Sequence, residues 1–307
     1  MKKTRIISLI LVMALIIAAF TVNFSASGDQ GKIGDANSDG SVNMKDVLVM
    51  RKYIAGYDVT IDLDAADVNF DGRINMKDVL LMRKQIAGIV EITRPVTTTT
   101  KPETTLKKKY IALTFDDGPN TFATPDILKK LKLHKIKATF FLIGSNIKAD
   151  TIPVVQSAID QGHEIENHSF SHSYMNEWSP EKIKEDVGKT DQLIYDNFGI
   201  RTSYFRPPML ATSNEMYENI DQVFIAGFGT NDWDSHVGEE EVIEKIEKNA
   251  CDGMIILLHD SQSKNAAVVS KIAPYLKNQG YEFVTVSELF KIKGVVPQEY
   301  EMFTYVN

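Results

Sequence analysis

Residues 110–119 read YIALTFDDGP, an apolar run from Tyr110 to Phe115 that ends on two carboxylates, Asp116 and Asp117, ahead of Gly-Pro. The run has the length and composition of a buried strand, and the residues after it are those of a turn or cap. The same arrangement recurs further along. His168 and His172 follow the run 163–167, Arg206 follows 203–205, and His259 follows 254–258. Strand-like runs at 110–115, 138–143, 163–167, 203–206, 222–228, 253–258 and 281–286 alternate with amphipathic segments at 125–133, 151–161, 180–197, 239–249 and 264–278. This alternation predicts an α/β domain with a parallel sheet covered by helices. Seven or so strands suit a closed or nearly closed, distorted barrel better than an open doubly wound sheet. In barrel-like α/β folds the C-terminal strand ends bring side chains from distant segments to one pocket.

Two carboxylates, a pair of His and a His beside an Arg are the raw material of a metal-assisted hydrolase. Asp117, His168 and His172 offer one carboxylate and two imidazoles. The H-x-x-x-H spacing puts both rings on one face if the segment is helical or tightly turned. Such a facial set leaves coordination positions open, as a catalytic site requires. Each piece alone has a plainer reading: two His on a polar helix face, or an Asp-Asp-Gly-Pro turn. Their joint occurrence at successive strand ends carries the argument. Of the other His, His134 sits among Lys in a helical segment and reads as solvated. His163 opens a strand and reads as structural, and His236 is a residue that could line a groove.

At 307 residues and 43% hydrophobic content, the chain can hold one large domain and a small one. Its start reads as a signal peptide over 1–27. Lys2, Lys3 and Arg5 precede an apolar stretch from Ile6 to Phe20, and Ser25 and Ser27 suit cleavage after Ser27. The apolar run is shorter than the roughly 20 residues of a membrane span, so no stable insertion is expected after cleavage. Removing three positive and no negative charges shifts the formal charge from −7 to −10. A secreted, extracellular protein of that charge is a poor nucleic-acid binder. The single Cys251 excludes an intrachain disulfide, so stability must come from a core or from metals.

Residues 34–56 and 66–88 are an internal repeat, identical at 16 of 23 positions with an offset of 32. Each copy opens with D-x-N-x-D-G and runs into a helix-forming segment. Calcium takes six to eight oxygen ligands from such a loop, with Gly at position 6 for the turn. Positions 1, 3, 5, 9 and 12 are Asp35, Asn37, Asp39, Asn43 and Asp46, then Asp67, Asn69, Asp71, Asn75 and Asp78. Ser41 and Arg73 stand at position 7, which such loops use through the backbone carbonyl. Gly40 and Gly72 stand at position 6, and position 12 is Asp where an EF-hand has Glu. Asn/Asp/Gly turns that merely cap helices are the alternative. The apolar faces Val47, Leu48, Met50, Ile54 and Val79, Leu80, Met82, Ile86 are expected to pack the repeats together for the most part.

The segment 32–89 resembles a type I dockerin, a small all-α module that docks on cohesin domains of a scaffold protein. The resemblance implies two calcium ions and partner selection by Met44–Lys45 and Met76–Lys77. With the same pair in both copies, docking in two orientations related by a half-turn is implied. A Thr/Pro-rich linker occupies 90–108.

The later motifs TFDDGP (114–119), HSFSH (168–172), RPP (206–208), DW (232–233) and LLH (257–259) resemble, in order and spacing, the NodB-type polysaccharide deacetylases of carbohydrate esterase family 4. The resemblance implies a catalytic domain over 109–292, a distorted (β/α) barrel, and a divalent metal such as zinc or cobalt held by Asp117, His168 and His172. It implies that Asp116 is the general base, oriented by Arg206, and that His259, oriented by Asp232, is the general acid. The Met209 N–H would face the oxyanion, and Trp233 and Leu257 would wall the acetyl pocket. The chain departs from the family pattern at Met209, where Tyr is common, and at Gly229, where an acid often stands. The dockerin resemblance implies acetylated plant-wall polysaccharide, acetylxylan first, as the substrate, with chitin oligomers or peptidoglycan as the alternative. The tail 293–307, with Tyr300, Phe303 and Tyr305, is open to packing on the domain or to binding.

Overall fold

The structure, a computed structural model, describes residues 32–57, 59–93, 108–297 and 300–307. Residues 1–27, expected as a signal peptide, and most of the expected linker 90–108 lie outside the described residues. No described helix is long and apolar enough to cross a membrane.

The N-terminal module consists of α1 (Met44–Ile54), α2 (Leu63–Ala66) and α3 (Met76–Ile86). Asn43 and Asn75 cap α1 and α3, and Asp46 and Asp78 reach back to the N-cap N–H groups, which closes a capping box on each helix. Val47, Met50, Val79 and Met82 are buried together with Ala36, Ala66 and Val68. Leu48 and Leu80 differ from the expected packing: they stand 53% and 54% exposed. Two short helices meet along a narrow seam, so only part of each apolar stripe can be covered.

The rest of the chain wraps one sheet with helices. Its elements are β1 (Lys109–Asp116), α4 (Thr124–Leu133), β2 (Thr139–Leu142), α5 (Ile152–Asp160), β3 (Glu164–Asn167), α6 (Pro180–Phe198) and β4 (Tyr204–Phe205). They continue as α7 (Asn214–Asn219), β5 (Val223–Ile225), β6 (Phe228–Gly229), α8 (Glu239–Asn249), β7 (Met254–His259) and α9 (Asn265–Asn278). Last come β8 (Tyr281–Val284), α10 (Val286–Lys293) and β9 (Met302–Phe303). The strand order is β6-β7-β1-β2-β3-β4-β5-β9, with β8 also on β1, and the named pairs are parallel.

The run 222–228, expected as one strand, is broken at Ala226–Gly227. Its first half extends one end of the sheet and its second half pairs with β7 at the other. The result is a distorted half-barrel. Gly227 has φ of 82°, and a side chain there would lie 2.9 Å from the Arg206 guanidinium. The tail packs on the domain: β9 pairs with β5, and Ile255 N–H and Val306 N–H bond to Thr304 and Gly253 carbonyls. The expected strand 281–286 stops at Val284, because Thr285 and Glu288 form a capping box that starts α10.

Alternation along β1 decides what the pocket receives. Ile111, Leu113 and Phe115 pack under the helices with Ile127, Leu131, Val268 and Ile272. Ala112 joins the inner cluster of Phe141, Ile255 and Val284. Thr114 and Asp116 share Ala112's face, so they enter the half-barrel near the C-terminal end of the strand.

His134 is not solvated: it is 3% exposed at the C-cap of α4. Burial, with Lys277 and Lys130 adding, pulls its imidazole down to about 4. Burial and Lys137 do the same to His163, also to about 4, and its Nδ1 accepts the Ala138 N–H. Both rings are neutral when folded and take a proton when unfolded below 6.5. Their stabilising contribution is therefore full above the unfolded value and is lost as pH falls toward about 4, on the order of 3 kcal/mol each. Denaturant unfolding at pH 7 and pH 4.5 should show this loss, and His163→Gln should make the acid loss smaller.

Candidate active site

Asp117 sits in the turn after β1 with φ of 76°, and His168 and His172 lie in the loop after β3. Ser169 and His172 also have positive φ, at 66° and 51°, so a tight turn rather than a helix brings the two rings together. Such conformations cost about 1–3 kcal/mol each in non-glycine residues and gather where a site needs them. His168 Nε2 is 3.6 Å and His172 Nε2 3.2 Å from Asp117 Oδ1. One ligand atom from each of the three lies within 4.8 Å of the others.

His168 Nδ1 lies 2.6 Å from the Arg206 carbonyl, which can only accept, so Nδ1 carries the proton and Nε2 keeps its lone pair. Asp117 Oδ1 is buried with no hydrogen-bond partner among the described residues. An orphaned carboxylate oxygen between two imidazole nitrogens fits a divalent cation, and a mixed N/O set with open positions suits zinc or cobalt. Burial opposes ionisation of Asp117, but the proximity of His168, with His259 and His172 adding, outweighs it and holds the carboxyl down at about 2. Burial, with His168 adding, pulls His172 below the usual imidazole range. The carboxylate is thus ionised at neutral pH, and His172 is favoured in its neutral, ligating form.

Asp116 is 2% exposed and meets Arg206, which is fully buried, at 2.5 Å. Arg206 Nη1 also donates to Thr114 Oγ1 at 2.9 Å, and the guanidinium lies 4.2 Å over the Phe141 ring. This cradle fixes Asp116 Oδ1 and leaves Oδ2 3.9 Å from His168 Nε2, beside the metal ligands.

Across the pocket, His259 Nδ1 lies 2.9 Å from Asp232 Oδ1. Asp232 is itself held by Thr230 Oγ1, the His259 N–H and Asn265 Nδ2. Burial works against the imidazolium, but the Asp232 hydrogen bond and the charges of Asp116, Asp232 and Asp117 raise His259 to about 9. It is a proton donor at neutral pH, with Nε2 as the free position. Met209 stands at φ of 54° in the turn after β4, and the bonds of that turn, from Leu210 N–H and Ala211 N–H, do not use its own N–H. Trp233 is 62% exposed and Leu257 6% exposed. His236 is exposed and paired with Asp234.

Several supporting residues have no signal in sequence. Thr114, Thr230 and Asn265 act only through neighbours distant in the chain. Asp260, next to His259, is fully buried: burial pushes its carboxyl up to about 7, and Thr124 Oγ1 donates to its Oδ2 at 2.7 Å. A Cβ on Gly118 would lie 2.1 Å from Asp260 Oδ2. Gly118→Ala is therefore expected to push the Asp117 turn off Asp260, at a cost of about 1–3 kcal/mol. Its thermal unfolding and zinc affinity, compared with the parent protein, check this.

In the N-terminal loops the carboxylates turn onto the loop's own backbone. Asp35 accepts from Asp39 N–H and Gly40 N–H, and Asp46 from Asn37 N–H and Asn43 N–H. The second loop repeats this with Asp67 and Asp78, and its Asp67, Asp71 and Asp78 oxygens gather within 4.8 Å. Met44 and Met76 are 54% and 57% exposed.

Residues 103–224 match the family described as polysaccharide deacetylase, and residues 33–87 match the dockerin type I domain. A bifunctional xylanase/deacetylase of Pseudobutyrivibrio xylanivorans is 42% identical over 66% of this chain; the chain spans only 34% of that protein's length. A peptidoglycan-N-acetylglucosamine deacetylase of Bacillus cereus is 37% identical over 61% of the chain and 90% of its own length. Among solved structures, a family 4 acetyl xylan esterase from Clostridium thermocellum in complex with a cobalt ion is 39% identical, with a TM-score of 0.63 over 64% of this chain and 99% of that one.

Proposed function

Because this chain belongs to the polysaccharide deacetylase family, we propose that it removes O-acetyl groups from plant cell-wall xylan outside the cell, carried on a scaffold through its dockerin. The observation that carries the reading is the meeting of three groups in one pocket: the Asp117, His168 and His172 set, the Asp116–Arg206 pair and the His259–Asp232 pair. A zinc or cobalt ion on the first set would polarise the acetyl carbonyl and acidify a water. Asp116, fixed by Arg206, accepts the proton of the water that attacks the acetyl carbon. The Met209 N–H donates to the oxygen that gains charge. His259 gives its Nε2 proton to the leaving sugar oxygen as the C–O bond breaks, and acetate and a free hydroxyl result. Trp233 and Leu257 flank the acetyl group.

The substrate reading is supported by the xylan-directed names of two relatives and by the dockerin segment. Peptidoglycan is the second reading, favoured by the relative that this chain matches over nine-tenths of its length. The same residues serve both, but an amide nitrogen needs the His259 proton more than an ester oxygen does. Acetate release by zinc- or cobalt-loaded protein from acetylated xylan, chitin oligomers and N-acetylated peptidoglycan separates them. Release from xylan is expected; release from the N-acetylated polymers alone sinks the O-deacetylase reading. Loop occupancy by two calcium ions is part of the proposal, and Asp35→Ala with Asp67→Ala should abolish cohesin capture in a pull-down.

His259 works only when protonated, so turnover should fall as pH rises through its folded pKa. That value is about 9 in the metal-free protein, and a cation beside the ring lowers it. Asp232→Asn removes the largest cause that holds the proton on. It should move the alkaline limb of the kcat profile to lower pH and reduce kcat by roughly 10²-fold.

A further inference from the structure

The two calcium-loop repeats are nearly identical, yet they are not used alike within the chain. Position 7 of the loop is Ser41 in the first copy and Arg73 in the second; the helix position of Tyr53 is Gln85 in the second. Both of these divergent residues, Arg73 and Tyr53, reach the large domain. Arg73 Nη2 lies 2.8 Å from both carboxylate oxygens of Glu247 on α8, and its guanidinium sits 4.5 Å over the Tyr275 ring on α9. Tyr53 Oη donates to the Ser270 carbonyl on α9 at 3.3 Å. Asn278 Nδ2 donates to the Asp71 carbonyl. A Cβ on Gly72 would lie 2.6 Å from the Asn278 side chain, whereas one on Gly40 would meet nothing within 4 Å. Four of the residues common to both copies, Met44, Leu48, Met76 and Leu80, stay more than half exposed.

We propose that the dockerin module is seated on α8 and α9 of the catalytic domain through its second loop and Tyr53, with the divergent Arg73 and Tyr53 making the side-chain contacts, while the shared exposed residues Met44, Leu48, Met76 and Leu80 stay open to a partner. The Arg73–Glu247 pair is partly exposed and contributes no more than about 1 kcal/mol alone. Stacking on Tyr275 and the Tyr53 and Asn278 bonds add to it. Both surfaces belong to one chain, at effective concentrations on the order of mM, so a weak contact suffices to keep them together. A functional consequence follows for assembly. The two half-turn-related docking modes, equivalent for the module alone, would carry the catalytic pocket to different sides of the scaffold in a fixed way.

Small-angle X-ray scattering of the full chain with calcium tests this without activity or a cohesin, so its failure leaves the proposed function standing. The parent protein should scatter as one compact particle. Glu247→Lys with Tyr53→Gln should give a larger maximum dimension. Since Glu247→Lys can disturb α8 itself, the charge-swapped pair Arg73→Glu, Glu247→Arg decides the matter: it should return the compact profile. Parent and Glu247→Lys/Tyr53→Gln profiles of equal extent, or a swapped pair as extended as that variant, would overturn the proposal.

Discussion

Asp116→Asn in the zinc- or cobalt-loaded protein is expected to lower kcat roughly 10²- to 10⁴-fold while the metal stays bound. The amide keeps the shape of the side chain but cannot take a proton from water. Asp117, His168 and His172 are untouched, so metal content per chain should match the parent. The change also leaves Arg206 buried without its counter-charge, a state that costs about 3–5 kcal/mol when one partner of a buried pair is removed. Activity must therefore be normalised to the folded fraction. A second variant separates the two effects: with Arg206→Met added, no unpaired charge remains, and stability should recover much of the loss while kcat does not. If Asp116→Asn keeps acetate release within a few-fold of the parent, another group is the base.

His168→Ala should abolish both metal retention and turnover. His168 supplies a buried nitrogen to the set, and its other nitrogen ties the loop after β3 to the Arg206 carbonyl at 2.6 Å. The affinity loss should exceed the roughly 10- to 100-fold that follows when only a residue supporting a ligand is removed. Equilibrium dialysis against zinc measures it directly, and circular dichroism shows whether the fold persists. Metal retained at the parent affinity would mean that Asp117 and His172 are not partnered by His168.

Much of this site was legible because strand alternation is local chemistry. YIALTF alternates between the two faces of β1, and its end delivers Asp116 and Asp117 where they are found. The His pair was legible as a spacing, though not as the positive-φ turn that makes the spacing work. What escaped reading depends on contacts between distant segments. At the break at Ala226–Gly227, a side chain on Gly227 would crowd Arg206, and β9 is a two-residue strand made by pairing with β5. His134 looks solvated among its Lys neighbours, yet α4 ends against the rest of the fold and buries it. Asp260 reads as the residue after a His until Thr124, 136 positions away, is seen to hold it. Leu48 and Leu80 belong to an apolar stripe whose covered width is set by the partner helix, and no single-helix pattern records that width.

The proposed catalysis requires a metal held by Asp117, His168 and His172. Acetate release from acetylated xylan should therefore be followed in one sample before chelation, after chelation, and after return of one equivalent of zinc or cobalt, with calcium kept in excess throughout the final step. Loss of release with the chelator and its return with a single equivalent is the predicted result. Release that continues undiminished in protein shown by elemental analysis to hold no transition metal would contradict the account.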